Sequence, residues 1–124
     1  MADPDRMRVR DVMSSPVGTI SPTASVQEAA RQMQAKDRSA LLVRASPAGI
    51  ITTTDIMELV ANGGDAEATA VEEVMTSDIE TVTPDLHLDE AAAMMTTFDI
   101  KHLPVEDDDY VGMLSSSDMT AVLS

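Results

Sequence analysis

Two runs of seven residues limit this chain more than any other feature. Gly49 Ile50 Ile51 Thr52 Thr53 Thr54 Asp55 and Gly112 Met113 Leu114 Ser115 Ser116 Ser117 Asp118 match class for class: glycine, two apolar residues, three hydroxyls, aspartate. The flanks repeat as well. Val12 Met13 Ser14 Ser15 returns as Val74 Met75 Thr76 Ser77, an offset of 62 (74 − 12), and the same offset relates Thr19 Ile20 Ser21 Pro22 to Thr81 Val82 Thr83 Pro84. Glu28 Ala29 Ala30 falls on Glu90 Ala91 Ala92, and Ser39 to Val43 on Lys101 to Val105. One residue inserted in the following loop makes the last offset 63 (112 − 49). The sequence is therefore two copies of one unit, divided as 1–64, with a short leader, and 65–124.

At 124 residues the two copies make one module. Each copy alone would be marginal, so a shared core is expected, with pseudo-two-fold symmetry and equivalent clefts. Each reads as β-α-β-β-α, an α/β (α+β) unit. Thr19 to Pro22 is extended, because proline steers its predecessor away from the α region. Ser25 and Glu28 form a capping box for a helix with Val26, Ala29, Ala30 and Met33 on one face; Leu88, Ala91, Ala92 and Met95 repeat that face. Strands follow at Ser39 to Val43 and Lys101 to Val105, then at Gly49 to Thr52 and Tyr110 to Ser115. Turns at 44–48 and 106–109 join them. Helices run from Asp55 to Ala61, stopped by Asn62 Gly63 Gly64, and from Asp118 to Leu123. Thr69 Ala70 Val71 Glu72 reads as a further capping box. The leader, with Arg6, Arg8 and Arg10, reads as a solvated strand or turn.

Composition excludes several function classes. There is no cysteine, so disulfides, thiolate metal sites and a cysteine nucleophile are out. Acids outnumber bases 22 to 8, for a net charge of −14, which leaves too few cations for nucleic acid and suits concentrated salt, the pattern of a salt-loving organism. No apolar run is long enough to cross a membrane and no signal segment leads the chain, so a cytoplasmic protein is expected. His87 and His102 occupy unrelated positions, and Asp107 to Asp109 lacks the spacing of a calcium loop, so no metal site is expected. No nucleophile and base are arranged for catalysis.

The hydroxyl corners carry the chemistry. Thr52 and Ser115 sit where a strand gives way to a helix, beside amides that favour anions, and Asp55 and Asp118 lie one turn on. A hydroxyl for phosphate and a carboxylate for vicinal ribose hydroxyls describe a nucleotide site. A plain helix cap uses the same residue types.

Val12 Met13, Thr19 to Pro22, Ser39 to Val43 and Gly49 to Asp55, with their second copies, resemble the CBS-domain pair, or Bateman module. The resemblance implies a regulatory module without catalysis that binds an adenosyl nucleotide such as AMP, ADP, ATP or S-adenosylmethionine, with no other cofactor. It also implies a homodimer acting on an effector protein. One cleft would join Gly18, Thr19, Ser21, Arg38, Ser39 and Ala40 to Ser115 and Asp118. The other would join Glu80, Thr81, Thr83, Ile100, Lys101 and His102 to Thr52 and Asp55. Leu42 departs from the pattern where the second copy has Pro104, and Thr54 and Ser117 stand where many relatives carry a basic residue; that lost charge, with net −14 outside, favours AMP or another ligand of low charge over ATP. Lys101 and His102 would make the second cleft the more cationic. The alternative is a ligand-free dimerisation or protein-interaction scaffold.

Overall fold

The computed structural model describes residues 6–123, with the side chain of Leu123 left out. It is a mixed α+β chain with two small sheets and five α-helices among the described residues. In order these are β1 (Thr19–Ile20), α1 (Val26–Lys36), β2 (Ala40–Val43), β3 (Gly49–Thr52), α2 (Thr53–Ala61), α3 (Val71–Val74), α4 (Leu88–Phe98), β4 (His102–Asp107), β5 (Asp109–Ser115) and α5 (Ser116–Leu123). A 3₁₀ turn at Val9–Asp11 precedes them.

Two compact units result, and their limits do not follow the sequence repeat. One is Gly18–Ile79; the other joins the leader through Val17 to the segment from Glu80 onward. The first core gathers Ile20, Val26, Ala29, Met33, Leu41, Val43, Ile51 and Val71. The second gathers Val82, Leu88, Ala91, Met95, Leu103, Val105, Leu114, Met119 and Val9. Seven positions correspond in order, Ile20 with Val82 through Ile51 with Leu114, but the eighth is exchanged. Val71, 62 residues after Val9, lies in the unit of the first copy, and Val9 in that of the second; both are fully buried. Of the expected solvated strand or turn, the turn is found: Arg6, Arg8 and Arg10 are exposed about it, but Val9 is buried.

The same backbone bonds dock both segments. Val71 and Glu72 donate to Ala24 and Pro22 at 2.8 and 3.0 Å, as Val9 and Arg10 donate to Leu86 and Pro84 at 2.9 and 3.0 Å. A few residues on, Thr76 pairs antiparallel with Ile50, and Ser14 with Met113, each pair exchanging two bonds of 2.9 Å. The glycine before each partner lets the strand approach. A Cβ on Gly49 would lie 2.9 Å from the Thr76 carbonyl oxygen, and one on Gly112 2.7 Å from that of Ser14, both nearer than a carbon can approach without displacing backbone.

Within Gly18–Ile79 the sheet order is β1-β2-β3, with β1 parallel to β2 and β3 antiparallel to it. Among its described residues the other unit has only the β4-β5 hairpin, not the three strands that the repeat implies. Proline is the reason. Leu42 donates its N–H to the Gly18 carbonyl at 2.9 Å; Pro104, at the matching place, has no N–H to offer Glu80. Val82 keeps a single parallel bridge to Val105, through bonds with Pro104 and Glu106. The inserted residue is not a longer loop but a β-bulge after Val105, and the hairpin then closes at Asp108, whose φ is 65°.

Helix starts also differ from the sequence reading. α2 and α5 begin at Thr53 and Ser116, two residues before the aspartates. Ser25 Oγ accepts from the Glu28 N–H at 3.0 Å, but the Glu28 carboxylate faces Arg31 rather than closing a box. At α3 the N-cap is Ala70, whose N–H donates to Glu73 at 2.7 Å, one residue later than the expected Thr69 pairing. Both long helices end at an aspartate in the left-handed region, Asp37 at φ 53° and Asp99 at φ 54°. His87, the counterpart of Ser25, makes no capping bond, and its Nδ1 is buried without a partner.

Val9→Ala and Val71→Ala are each expected to lower unfolding free energy by about 1.5–3 kcal/mol in denaturant titrations, a buried aliphatic side chain being lost in either unit. Gly49→Ala and Gly112→Ala are expected to cost about 1–3 kcal/mol in the same assay through overpacking against backbone. His87→Ser supplies the missing cap and is expected to raise stability by about 1 kcal/mol.

Candidate functional site

Each unit assembles one corner and one strand-edge set by itself. In Gly18–Ile79, Ala40 pairs with Thr52 in the β2–β3 register and the Thr53 N–H donates to the Ser39 carbonyl at 3.0 Å. In the other unit, His102 pairs with Ser115, and the Ser116 N–H donates to Lys101 at 2.9 Å. Thr52 and Asp55 therefore lie beside Ser39 and Ala40, and Ser115 and Asp118 beside Lys101 and His102. Gly18 and Thr19 join the first group through the β1–β2 ladder, and the Arg38 side chain lies along Gly18, where an added Cβ would sit 3.0 Å from Arg38 Cδ. Ile100 is set at the end of α4 by an N–H bond of 3.0 Å to the Met95 carbonyl. Thr81 is half-buried beside Val82, while Glu80 and Thr83 are exposed.

Both aspartates are engaged locally. Asp55 Oδ2 accepts from the Thr52 N–H at 2.8 Å and from the Thr52 hydroxyl at 3.0 Å, while Thr52 Oγ1 accepts from the Asp55 N–H at 3.3 Å. Asp118 Oδ2 accepts from the Ser115 N–H at 3.2 Å, and Ser115 Oγ accepts from the Asp118 N–H at 3.1 Å. These are reciprocal capping boxes, so the helix-cap reading of the corner is realised. They still leave chemistry in hand. The bonds recorded for each carboxylate fall on Oδ2, leaving Oδ1 as an acceptor, and both aspartates are half-buried. Among the first-turn amides, those of Thr53 and Ser116 are taken by the Ser39 and Lys101 carbonyls, and those of Asp55 and Asp118 by the cap. The Thr54 and Ser117 N–H groups remain to meet an anion. One amide per corner suits a single phosphate better than a chain of them.

One residue that lies, as the sequence reading has it, in the 44–48 turn also lines a groove. Arg44 stands with Thr19, Ile20, Ser21, Pro22, Ala24 and Gln32 around a groove of about 560 Å³. No local pattern carried the signal, because Arg44 reaches Thr19 and Ser21 only through the β1–β2 pairing, its N–H donating to the Ile20 carbonyl at 2.9 Å. The expectation that Lys101 and His102 make the second set the more cationic is thereby offset, since Arg38 and Arg44 correspond to Ile100 and Glu106. Elsewhere, burial, then Glu106, then Asp109 hold the Tyr110 phenol above its usual range. It stays protonated past the pH at which an unfolded tyrosine ionises, and the stability this contributes is lost as pH rises through the folded value. Among the described residues no group of histidines and acids could hold a metal ion. Among the same residues no helix is long and apolar enough to cross a membrane.

Comparison with known proteins agrees with this geometry. The CBS domain family matches residues 9–62 and again 71–124. The CBS domain-containing protein YhcV of Bacillus subtilis is 32% identical over 115 residues, 90% of this chain and 81% of that protein. Homoserine O-acetyltransferase of Methanohalobium evestigatum is 34% identical over 120 residues, 93% of this chain; the chain spans only 24% of that enzyme's length. Among solved structures, a protein with CBS domains from Burkholderia ambifaria superposes with TM-score 0.86 at 30% identity, covering 94% of this chain and 93% of that one. The CBS domain pair of protein MJ0100, in complex with 5′-methylthioadenosine and S-adenosyl-L-methionine, gives 0.85 at 29% identity, covering 94% and 95%. The chain belongs to the CBS domain family and carries two copies of that domain.

Proposed function

We propose that this CBS pair is a regulatory module that binds an adenosyl compound of the AMP, ADP, ATP or S-adenosylmethionine class and performs no catalysis. The observation that carries the reading is the likeness, over nearly the whole of both chains, to a CBS pair held in complex with 5′-methylthioadenosine and S-adenosyl-L-methionine. Asp55 and Asp118 would grip ribose through Oδ1, and Thr52 and Ser115 would seat the phosphate. The adenine would lie against two sets of residues: Gly18, Thr19, Ser21, Arg38, Ser39 and Ala40 with the Asp118 corner, and Glu80, Thr81, Thr83, Ile100, Lys101 and His102 with the Asp55 corner. Pro104 supports the second set, since it leaves the Glu80 carbonyl without the donor that Gly18 finds in Leu42, and so available to an exocyclic amine. Ligand would act by favouring one arrangement of a homodimer that an effector protein reads. The repeats of that module are 1–64 and 65–124, and we place it in a cytoplasm rich in salt, where net −14 is screened.

A second reading has its own support. The carboxylates already cap their helices, and α2 buries none of its residues while exposing Met57 and Val60 at 68% and 61%. On that reading the corners are caps only, and the module is a dimerisation or interaction scaffold.

Calorimetry in about 1 M KCl, where screening reaches ~3 Å, separates the two. The sensor reading predicts heat with AMP or S-adenosylmethionine, a raised melting temperature with the same compound, and loss of one site in Asp118→Ala. Asp118→Ala also removes a cap, at about 1 kcal/mol. Asp118→Glu keeps a capping-box residue but moves the carboxylate, and is expected to retain stability while weakening binding. Absence of heat and of thermal shift with every adenosyl compound would leave the scaffold.

A further inference from the structure

We infer that the Arg44 groove binds the anionic group of a small ligand, phosphate or carboxylate, and that only the first copy can do so. β1 and β2 run parallel with Ile20 opposite Val43, and the Arg44 N–H donates to the Ile20 carbonyl at 2.9 Å, so Ser21 and Arg44 are the next pair in register. β1 is the edge of its sheet, and Thr19, Ser21 and Arg44 line one groove along it together with Gln32 of α1. These three residues and Gln32 give the groove two hydroxyls, an amide and a guanidinium. Arg44 pairs with no carboxylate among the described residues, in a chain where acids outnumber bases 22 to 8. A guanidinium offers parallel N–H donors whose spacing fits phosphate and carboxylate oxygens.

The duplication provides an internal control. Positions 62 residues on hold Thr81, Thr83, Met94 and Glu106, and the Glu106 N–H makes the same backbone bond, to Val82 at 2.8 Å. The backbone place is kept while the charge is inverted and the amide lost. The first groove attracts an anion where its counterpart repels one. It lies at the Val43–Gly49 end of the sheet, away from the corner at the Ala40–Thr52 end. Because it shares Thr19 and Ser21 with the proposed adenosyl site, it rests in part on that reading and adds Arg44 to the hydroxyl corner as a contact of that ligand's anionic group.

The test is a titration of the ¹⁵N-labelled full chain, wild type and Arg44→Gln, with inorganic phosphate, acetate, adenosine, AMP and S-adenosylmethionine at fixed KCl. Arg44 is exposed, so the variant is expected to fold as the wild type does. Phosphate or acetate should move the Thr19, Ser21 and Gln32 amides in the wild type only, and whichever is stronger identifies the anion. AMP or S-adenosylmethionine should bind about tenfold or more weakly to the variant, with adenosine unchanged. If phosphate and acetate leave those amides still, and AMP and S-adenosylmethionine bind both proteins alike, the anion site is overturned while the adenosyl reading stands. If phosphate moves them but no adenosyl compound binds, the groove stands and the adenosyl reading falls. No shift with any probe overturns both.

Discussion

The exchange of one short segment between the two copies governs this structure. A valine, a methionine and a hydroxyl residue at the head of each repeat complete the core and extend the sheet of the other copy's unit. Val9 closes the core around Leu88 and Leu103, and Val71 closes the one around Val26 and Leu41. Each such burial stabilises by about 1.5–3 kcal/mol, a large share of the margin of a unit this small. The exchange requires glycine at 49 and 112, since any Cβ there would meet the carbonyl of the incoming strand. It therefore accounts for the first letter of the heptad from which the duplication was recognised.

The rest of that heptad follows in order. Two apolar residues fill the strand, one turned into the core, as Ile51 and Leu114 are. The first hydroxyl caps the helix, and the aspartate closes the box on the same hydroxyl residue. Sequence, fold and candidate chemistry thus meet in seven residues, and the same carboxylate that fixes the helix start keeps one oxygen for a ligand. The binding proposed for the corner would need no strain and no buried charge. It would use what a capping box leaves over.

Much of this was legible in the sequence, because a duplication turns each weak local signal into a pair. The helix faces of Val26, Ala29 and Met33 and of Leu88, Ala91 and Met95, the hairpin strands and the corners all lie where periodicity put them. What was hidden has physical causes. Val9 in a charged leader carries no periodic signal, and its burial depends on partners nearly 80 residues away. The missing third strand turns on a single absent N–H at Pro104, and the insertion vanished into a bulge rather than a loop. Adjacent glutamates at 72 and 73 offered two capping registers, of which Ala70 and Glu73 form the bond. Arg44 lies in the turn expected for it, and its approach to Thr19 and Ser21 was hidden because it follows from the β1–β2 pairing across the sheet.

Division of the chain is the most direct test of the exchange. Fragments 18–79 and 1–64 have nearly equal length and share most of the first copy, but only the former holds Val71 and the Met75–Thr76 strand that its core and sheet require. Circular dichroism through a denaturant titration in concentrated KCl should show a cooperative transition for 18–79 and none for 1–64. A cooperative transition in 1–64, with 18–79 unfolded, would contradict the account.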